Sequence, residues 1–234
     1  MKVLVTGANG LIGRALCSVL DQAGIQLTRA VRTSTTPWQV PVGDIHERTA
    51  WAPILQAGFD VVVHLAAQVP TEGPPVADRA GQFYTVNTLG TANLARQCVQ
   101  HGVKRFVFVS TAKVLGEGQD QPYRADDSAV PNDAYAISKW EAEQALWQIA
   151  SETGIQVVVL RPPLVYGPGV KGNFLRLLQA VDRRRPLPLG CIQNRRSLVY
   201  VGNLVSAIDF SLTHPSVAGH TFMVSDGDPF TMQV

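Results

Sequence analysis

Three cysteines stand in 234 residues, far apart and in no CxxC pair. Cys17, Cys98 and Cys191 therefore outline neither a disulfide framework nor a zinc knuckle. They read as reduced thiols, two of them on apparent helices, in a cytoplasmic protein. No apolar run approaches the roughly 20 residues of a membrane-spanning helix. No long run of one charge exists, and the formal net charge is only +2. The densest basic cluster is Arg183-Arg184-Arg185, with Arg195-Arg196 nearby. That is too little for a nucleic-acid footprint, though enough for a local phosphate site. The triplet is most simply a solvated helix end favoured by the helix dipole. There is no repeat and no low-complexity tract. The first residues lead straight into a strand, so no signal peptide is expected. Apolar residues, at 46%, are plentiful, and the length suits one α/β domain plus part of a second.

The stretch Lys2 to Gly13, KVLVTGANGLIG, organises the rest. Val3, Leu4 and Val5 form the unbroken apolar run of a parallel strand buried on both faces. Gly7, Gly10 and Gly13 follow. The period then changes, with Leu11, Ile12, Ala15, Leu16, Val19 and Leu20 recurring as one helix face. Glycines where a strand becomes a helix let a ligand approach the backbone, and the first helical N–H groups then face an anion. This reads as a dinucleotide pyrophosphate site; the plainer reading is a tight turn with no ligand.

A second strand, Ile25 to Val31, ends at Arg32, where a dinucleotide fold meets the adenosine ribose. The segment Arg29 to Ser34 contains no acid to bond a free 2′-hydroxyl. Arg32, Thr33 and Ser34 suit a 2′-phosphate instead, which leans towards NADP. Arg32 as a solvated loop residue is equally consistent with the pattern. A third strand is expected over Val40–Ile45, a helix over Arg48–Ala57, and a buried strand over Phe59–Leu65. Ala66 and Ala67 close that strand with small residues that leave room for a flat cofactor. A loop over Pro70–Pro75 leads to a long helix, Ala77 to His101. A strand over Lys104–Ser110 precedes a helix beginning near Asp133, a plausible N-cap. Gln156–Leu160 is the next strand, stopped by Arg161-Pro162-Pro163. Alternation of this kind predicts a doubly wound parallel sheet. After Tyr166 the pattern breaks up: a helix over Phe174–Arg184, a strand over Ser197–Val201, a helix over Leu204–Leu212 and a strand over Thr221–Val224. Val234 follows a new loop, and truncation of this last part is expected.

Tyr135 and Lys139 lie four apart, on one face of a helix. An ammonium beside a phenol favours phenolate and would lower its pKa, suiting it to acid–base work. Thr111 ends the preceding strand at the sheet's carboxyl edge, where ligands bind. A Tyr and a Lys at this spacing are common by chance; the upstream glycine loop and Thr111 turn the balance. His64, at the end of a buried strand with no second ligand at metal spacing, reads as a packed histidine. Trp140 and Trp147 read as helix packing or a subunit contact.

Taken together, Thr6-Gly7-x-x-Gly10-x-x-Gly13, Ser110-Thr111 and Tyr135-x-x-x-Lys139 resemble the extended short-chain dehydrogenase/reductase family. Five further stretches resemble its nucleotide-sugar epimerase/dehydratase branch. They are Gly43-Asp44-Ile45, His64-Leu65-Ala66-Ala67, Asn87-Thr88-Leu89-Gly90-Thr91, Arg161 to Gly169 and Arg196 to Val201. The resemblance implies Tyr135 as catalytic acid/base, Lys139 as the group that holds the nicotinamide ribose and tunes the phenol, and Thr111 as partner of the sugar hydroxyl. It implies cofactor contacts at Gly7, Asn9, Gly10, Leu11, Ile12, Gly13, Asp44, Ile45, Leu65, Ala66, Ala67, Asn87 and Pro162, to which the residues themselves add Arg32. Thr111, Asn173, Phe174 and Arg196 would meet the sugar diphosphate. A guanidinium such as Arg196 matches phosphate oxygens. It further implies a homodimer through the helices around 77–101 and 133–153.

Departures accompany the resemblance. Arg32 replaces the acid usual after the second strand in NAD-using epimerases. Ala112 and Lys113 stand where dehydratases carry Asp-Glu. Gly202 replaces an acid, and truncation of the C-terminal part that completes the sugar pocket is expected. The expectation is an α/β, Rossmann-like doubly wound parallel sheet, with an NAD(P)-binding domain at 1–165 and an interleaved, incomplete sugar-nucleotide part at 166–234. The expected activity is NAD- or NADP-dependent redox chemistry at C4 of a UDP-hexose, most simply 4-epimerisation, without metal. An NADPH-dependent 4-keto reductase is the alternative. A cofactor-sensing regulator would have no need of Thr111, Tyr135 and Lys139 together.

Overall fold

A computed structural model describes residues 1–70, 79–118, 121–184, 195–227 and 230–231. Strand β1 (Lys2–Thr6) turns into helix α1 (Leu11–Gln22), followed by β2 (Gln26–Val31) and β3 (Gln39–Pro41). Next come α2 (Ala52–Leu55), β4 (Val61–His64), α3 (Arg79–Phe83) and α4 (Gly90–Gln100). Strand β5 (Arg105–Val109), helix α5 (Ala134–Thr153) and β6 (Gln156–Arg161) complete the alternating part. Then follow β7 (Leu164–Tyr166), α6 (Gly172–Asp182), β8 (Arg195–Arg196) and β9 (Leu198–Tyr200). Helix α7 (Val201–Thr213), β10 (His220–Met223) and β11 (Phe230–Thr231) come last.

Seven strands form one sheet in the order β10-β6-β5-β4-β1-β2-β3, every pairing parallel. The order reverses between β1 and β4. That reversal opens a crevice at the carboxyl ends of these two strands. Helices cover both faces, which is why β1, β4 and β5 read as continuous apolar runs rather than alternating ones. One core packs Leu16 and Leu20 of α1 and Leu204 and Ile208 of α7 against Val3, Val5, Val107 and Val158. The other packs Trp51, Leu94, Leu146 and Ile149 against Leu4, Val62, Phe106 and Phe108. Each fully buried leucine contributes roughly 1.5–3 kcal/mol. Residues beyond 166 share in this: α7 covers the sheet and β10 pairs with β6 as its edge.

Several boundaries differ from expectation, each for a local reason. The third strand stops at Pro41, because Gly43 adopts φ +67°. The helix expected over 48–57 is a single turn at Ala52–Leu55, with Pro53 as its second residue. The long helix is not regular: Tyr84–Leu89 is wound as a π-helix between α3 and α4. Its forecast start at Ala77, most of the loop before it, Arg185, Pro186, Pro188, Cys191 and Val234 lie outside the described residues. Arg161 ends β6 from inside the strand. No helix among the described residues is long and apolar enough to cross a membrane.

Candidate active site

The glycine turn leaves β1 at the crevice. Gly7 has φ +68°, and a Cβ there would lie 2.7 Å from the backbone nitrogen of Ala66. A Cβ on Gly13 would lie 2.3 Å from the Gly7 carbonyl oxygen. These two glycines let the turn close on itself and on the Leu65-Ala66 segment. At Gly10 the only close neighbour of such an atom is that same oxygen, at 3.2 Å, so its outer side stays open. Gly10 caps α1 without a side-chain bond, and no acid occupies the first turn. Unpaired N–H groups beside a bare turn suit a pyrophosphate, and the residues present therefore fit a dinucleotide. Asn9 is fixed from two sides: Gln39 donates to its Oδ1 at 2.7 Å, and Arg14 donates to its carbonyl at 2.6 Å.

The crevice floor is held by one hydroxyl. Thr6 Oγ1 accepts from the N–H groups of Leu65 and Ala66, both at 3.2 Å. Its proton therefore goes to His64 Nδ1, 2.7 Å away. His64 is then protonated at Nε2, 3.0 Å from Thr91 Oγ1, and donates there. Burial first, and the Lys139 charge second, push its pKa down to about 3. It is the packed, neutral histidine the sequence suggested.

Asn87, expected to touch cofactor, lies in the π-helical segment and is buried. Its carboxamide accepts from Gln68 N at 2.8 Å and donates to Gln68 O and Ser138 Oγ, both at 3.0 Å. It latches the segment after β4 to α5. Thr88 donates to the Ser138 carbonyl at 2.9 Å. Gly90 allows α4 to approach Ile45, whose Cγ2 would lie 2.5 Å from an added Cβ. The widened turn thus ties the segment after β4 to α5; π-turns often mark functional sites.

At the far side a cleft of about 760 Å³ is lined by Arg32, Asp44, Ile45, His46, Gln68 and Thr85, among others. Arg32 Nε pairs with Asp44 Oδ1 at 3.0 Å, both side chains exposed. Ser34 donates its hydroxyl proton within the loop, to Thr36 O at 2.8 Å. Two of the three groups expected to receive a 2′-phosphate therefore already have partners.

Strand β5 stops at Val109, so Thr111 does not end it as expected but stands two residues beyond, at the head of a short 3₁₀ turn, its hydroxyl accepting from Lys113 N at 3.3 Å. Ala112 N donates to Pro162 O at 2.8 Å, joining this turn to the end of β6. Asp133 caps α5 through Ala136 N at 2.7 Å. Tyr135, in the first turn, meets Phe83 edge-on with ring centres 5.8 Å apart. Lys139, one turn on, is buried, its Nζ 3.9 Å from the centre of the Phe108 ring. Burial, then the Asp133 carboxylate, push Tyr135 up to about 12. Burial pushes Lys139 down to about 7, opposed by Glu143. The phenol is thus raised, where an adjacent ammonium was expected to lower it: its own desolvation and the Asp133 carboxylate both act upward.

Sequence reasoning missed the ion pair beneath. Glu143, one further turn along α5, is fully buried and takes Arg161 Nη2 at 2.6 Å and Nε at 3.1 Å. Arg161 also donates to Ala125 O at 3.1 Å. The i, i+4, i+8 spacing of Tyr135, Lys139 and Glu143 was the available signal. Asp226 was missed too. It accepts from Tyr166 OH at 3.0 Å, Tyr200 N at 2.7 Å and Asn203 Nδ2 at 2.7 Å, joining β7, β9 and the start of α7. Phe174 packs near Tyr166, with ring centres 5.7 Å apart. Asn173 and Arg196 are exposed. At Gly202 a Cβ would lie 2.6 Å from the Tyr200 ring, so the absent acid leaves that ring a seat.

Comparison with known proteins shows the family. A UDP-glucose 4-epimerase of Vibrio cholerae is 40% identical over 97% of this chain and 71% of its own length. One from Azospirillum brasilense is 32% identical over 97% and 72%. The structure of a UDP-glucuronic acid 4-epimerase from Bacillus cereus in complex with NAD superposes with TM-score 0.84 at 26% identity. That match covers 99% of this chain and 80% of the other. Residues 3–225 match the NAD dependent epimerase/dehydratase family. The fold is that of the short-chain dehydrogenase/reductases, and this chain is a member of the NAD-dependent epimerase/dehydratase family.

Proposed function

We propose that this enzyme epimerises a UDP-hexose at C4, with Tyr135 as the proton carrier. The observation that carries this reading is Tyr135 and Lys139 on successive turns of α5, a helix that packs against the 3₁₀ turn headed by Thr111. NAD, held by the residues named below, would supply the hydride acceptor that oxidation at C4 requires. Thr111 bonds the C4 hydroxyl, and Tyr135 takes its proton and later returns it. Lys139 holds the nicotinamide ribose and supports the phenolate. Gly7, Asn9, Gly10, Leu11, Ile12 and Gly13 hold the pyrophosphate. Asp44 and Ile45 meet the adenine, while Leu65, Ala66, Ala67 and Pro162 border the nicotinamide half. Asn87 acts through the Gln68 segment. Residues 166–234 contribute the sugar-nucleotide part, with Asn173, Phe174 and Arg196 on the diphosphate.

The 4-keto reductase alternative is weaker, because the relatives at 40% and 32% identity are epimerases. A lean towards NADP rests on Arg32 and is opposed by its pairing with Asp44. A second copy would dock on the helices at 79–100 and 134–153, where Tyr84 and Ile137 are exposed. The compartment proposed is the cytoplasm. Incubation of the NAD-loaded enzyme with UDP-glucose, UDP-GlcNAc or UDP-glucuronic acid tests this, because a new C4 epimer must form without added reductant. Absence of any epimer, with turnover only of a 4-keto sugar plus NADPH, would favour the reductase.

A further inference from the structure

Two loops carry the reacting side chains proposed above: the turn headed by Thr111 and the first turn of α5. One ion pair crosses between them. Lys113 Nζ lies 2.8 Å from Asp133 Oδ2, and 4.0 Å from Glu117 Oε1 on its other side. Lys113 sits two residues after Thr111, whose hydroxyl accepts its N–H. Asp133 sits two residues before Tyr135 and caps the helix with its other oxygen. The carboxylate is thus bound at both oxygens, one by each loop.

We propose that Lys113 and Asp133 form a strap that sets Tyr135 against Thr111 and neutralises the carboxylate nearest the phenol, making Lys113 a positioning residue. The inference rests on the reading of Tyr135 as acid/base. Its reasoning is electrostatic as well as steric. A bare carboxylate beside Tyr135 disfavours phenolate; a paired one does so less. Asp133 is indeed held below the usual carboxylate range: partial burial works against this, but the bonds from Lys113 and Ala136 N outweigh it.

Among the described residues the charged groups around the phenol are few. Helix α5 itself supplies Asp133 and Lys139, with Glu143 a turn beyond and already gripped by Arg161. The turn after β5 supplies Lys113, backed by Glu117. Strand β4 supplies His64, which is neutral. Helix α3 presents the Phe83 ring and carries Arg79 as its charged residue. Lys113 is the group whose removal uncovers a charge next to Tyr135 without emptying the core, since it is half exposed.

The test uses three variants, Lys113→Met, Lys113→Arg and Asp133→Asn, the last retaining an N-capping side chain. The readout is the near-ultraviolet phenolate absorption of Tyr135, isolated by difference against Tyr135→Phe, titrated with and without NAD. Lys113→Met should move the Tyr135 transition to higher pH and Asp133→Asn to lower pH, each by about half a unit or more. Lys113→Arg should restore the wild-type value. With substrate, kcat of Lys113→Met should fall about tenfold with the NAD affinity unchanged. A merely structural pair would not move the titration in opposite directions. Shifts of the same sign, or none, overturn the strap while leaving the role of Tyr135 intact. Full turnover by Tyr135→Phe would sink the acid/base reading, and the strap with it.

Discussion

The ammonium of Lys139 lies 3.9 Å from the centre of the Phe108 ring, one helical turn from Tyr135. A cation over an aromatic face keeps part of the stabilisation it loses on leaving water. The seat lies on the sheet side of α5, between the phenol above and Glu143 below. Burial moves the two groups in opposite directions, Tyr135 up to about 12 and Lys139 down to about 7. At neutral pH the phenol keeps its proton. To accept one it needs further positive charge nearby.

Lys139 should make stability depend on pH. Its folded pKa, about 7, lies below the ordinary 10.5. Between those values the unfolded chain binds the extra proton, so stability from this group rises with pH across that window and is lost as pH falls towards 7. Lys139→Met should flatten the rise and stabilise the chain most at pH 7 and below. The ceiling is a few kcal/mol, at about 1.4 kcal/mol for each pH unit between the two values. Denaturant unfolding at a series of pH values checks this; an unchanged slope would contradict it.

Glu143→Gln should destabilise the fold by about 3–5 kcal/mol, because it leaves the Arg161 charge buried without its counter-ion. Replacing both, with Glu143→Leu and Arg161→Met, should cost clearly less than the sum of the single changes. A double-mutant cycle by chemical denaturation reads the difference. Additive losses would mean the pair does not act as a unit.

The sheet was legible because its strands carry period and length: Val3-Leu4-Val5 and Val107-Phe108-Val109 read as doubly buried runs, and they are. The Tyr135–Lys139 spacing was legible for the same reason, since four residues fix one helix face. The π-helical turn at Tyr84–Leu89 was not, because it answers to Asn87, Thr88 and Gly90 meeting Gln68, Ser138 and Ile45, all distant in sequence. Nor was the raised pKa of Tyr135, since spacing reports proximity to an ammonium and not the water both groups lose. Arg161 looked like a strand stop because its partner, Glu143, lies on another element.

Cofactor choice turns on Arg32. A charge-assisted bond to a 2′-phosphate contributes about 1.5–3 kcal/mol, but here Asp44 holds the guanidinium and its carboxylate would repel that phosphate. NAD should therefore bind at least as tightly as NADP, and Asp44→Asn should raise NADP affinity while Arg32→Ala lowers it. Titrations of both cofactors decide it. A wild-type preference for NADP of tenfold or more would mean that the ion pair gives way.

Dehydration should not be observed. Elimination across C5 and C6 requires an acid and a base beside Thr111. Ala112 offers neither, and Lys113 is paired with Asp133 at 2.8 Å. Mass analysis of reactions with UDP- and TDP-hexoses should show no 4-keto-6-deoxy product; its appearance would place another acid–base pair in the site.

The most direct test of the proposed activity is the interconversion of a UDP-hexose and its C4 epimer by the NAD-loaded enzyme, wild type against Tyr135→Phe. Approach to the same equilibrium mixture from either epimer, with the variant slowed roughly 100-fold or more and still binding NAD, is the predicted result. Equal rates for the two proteins, or no epimer from any UDP-hexose with NAD bound, would contradict it.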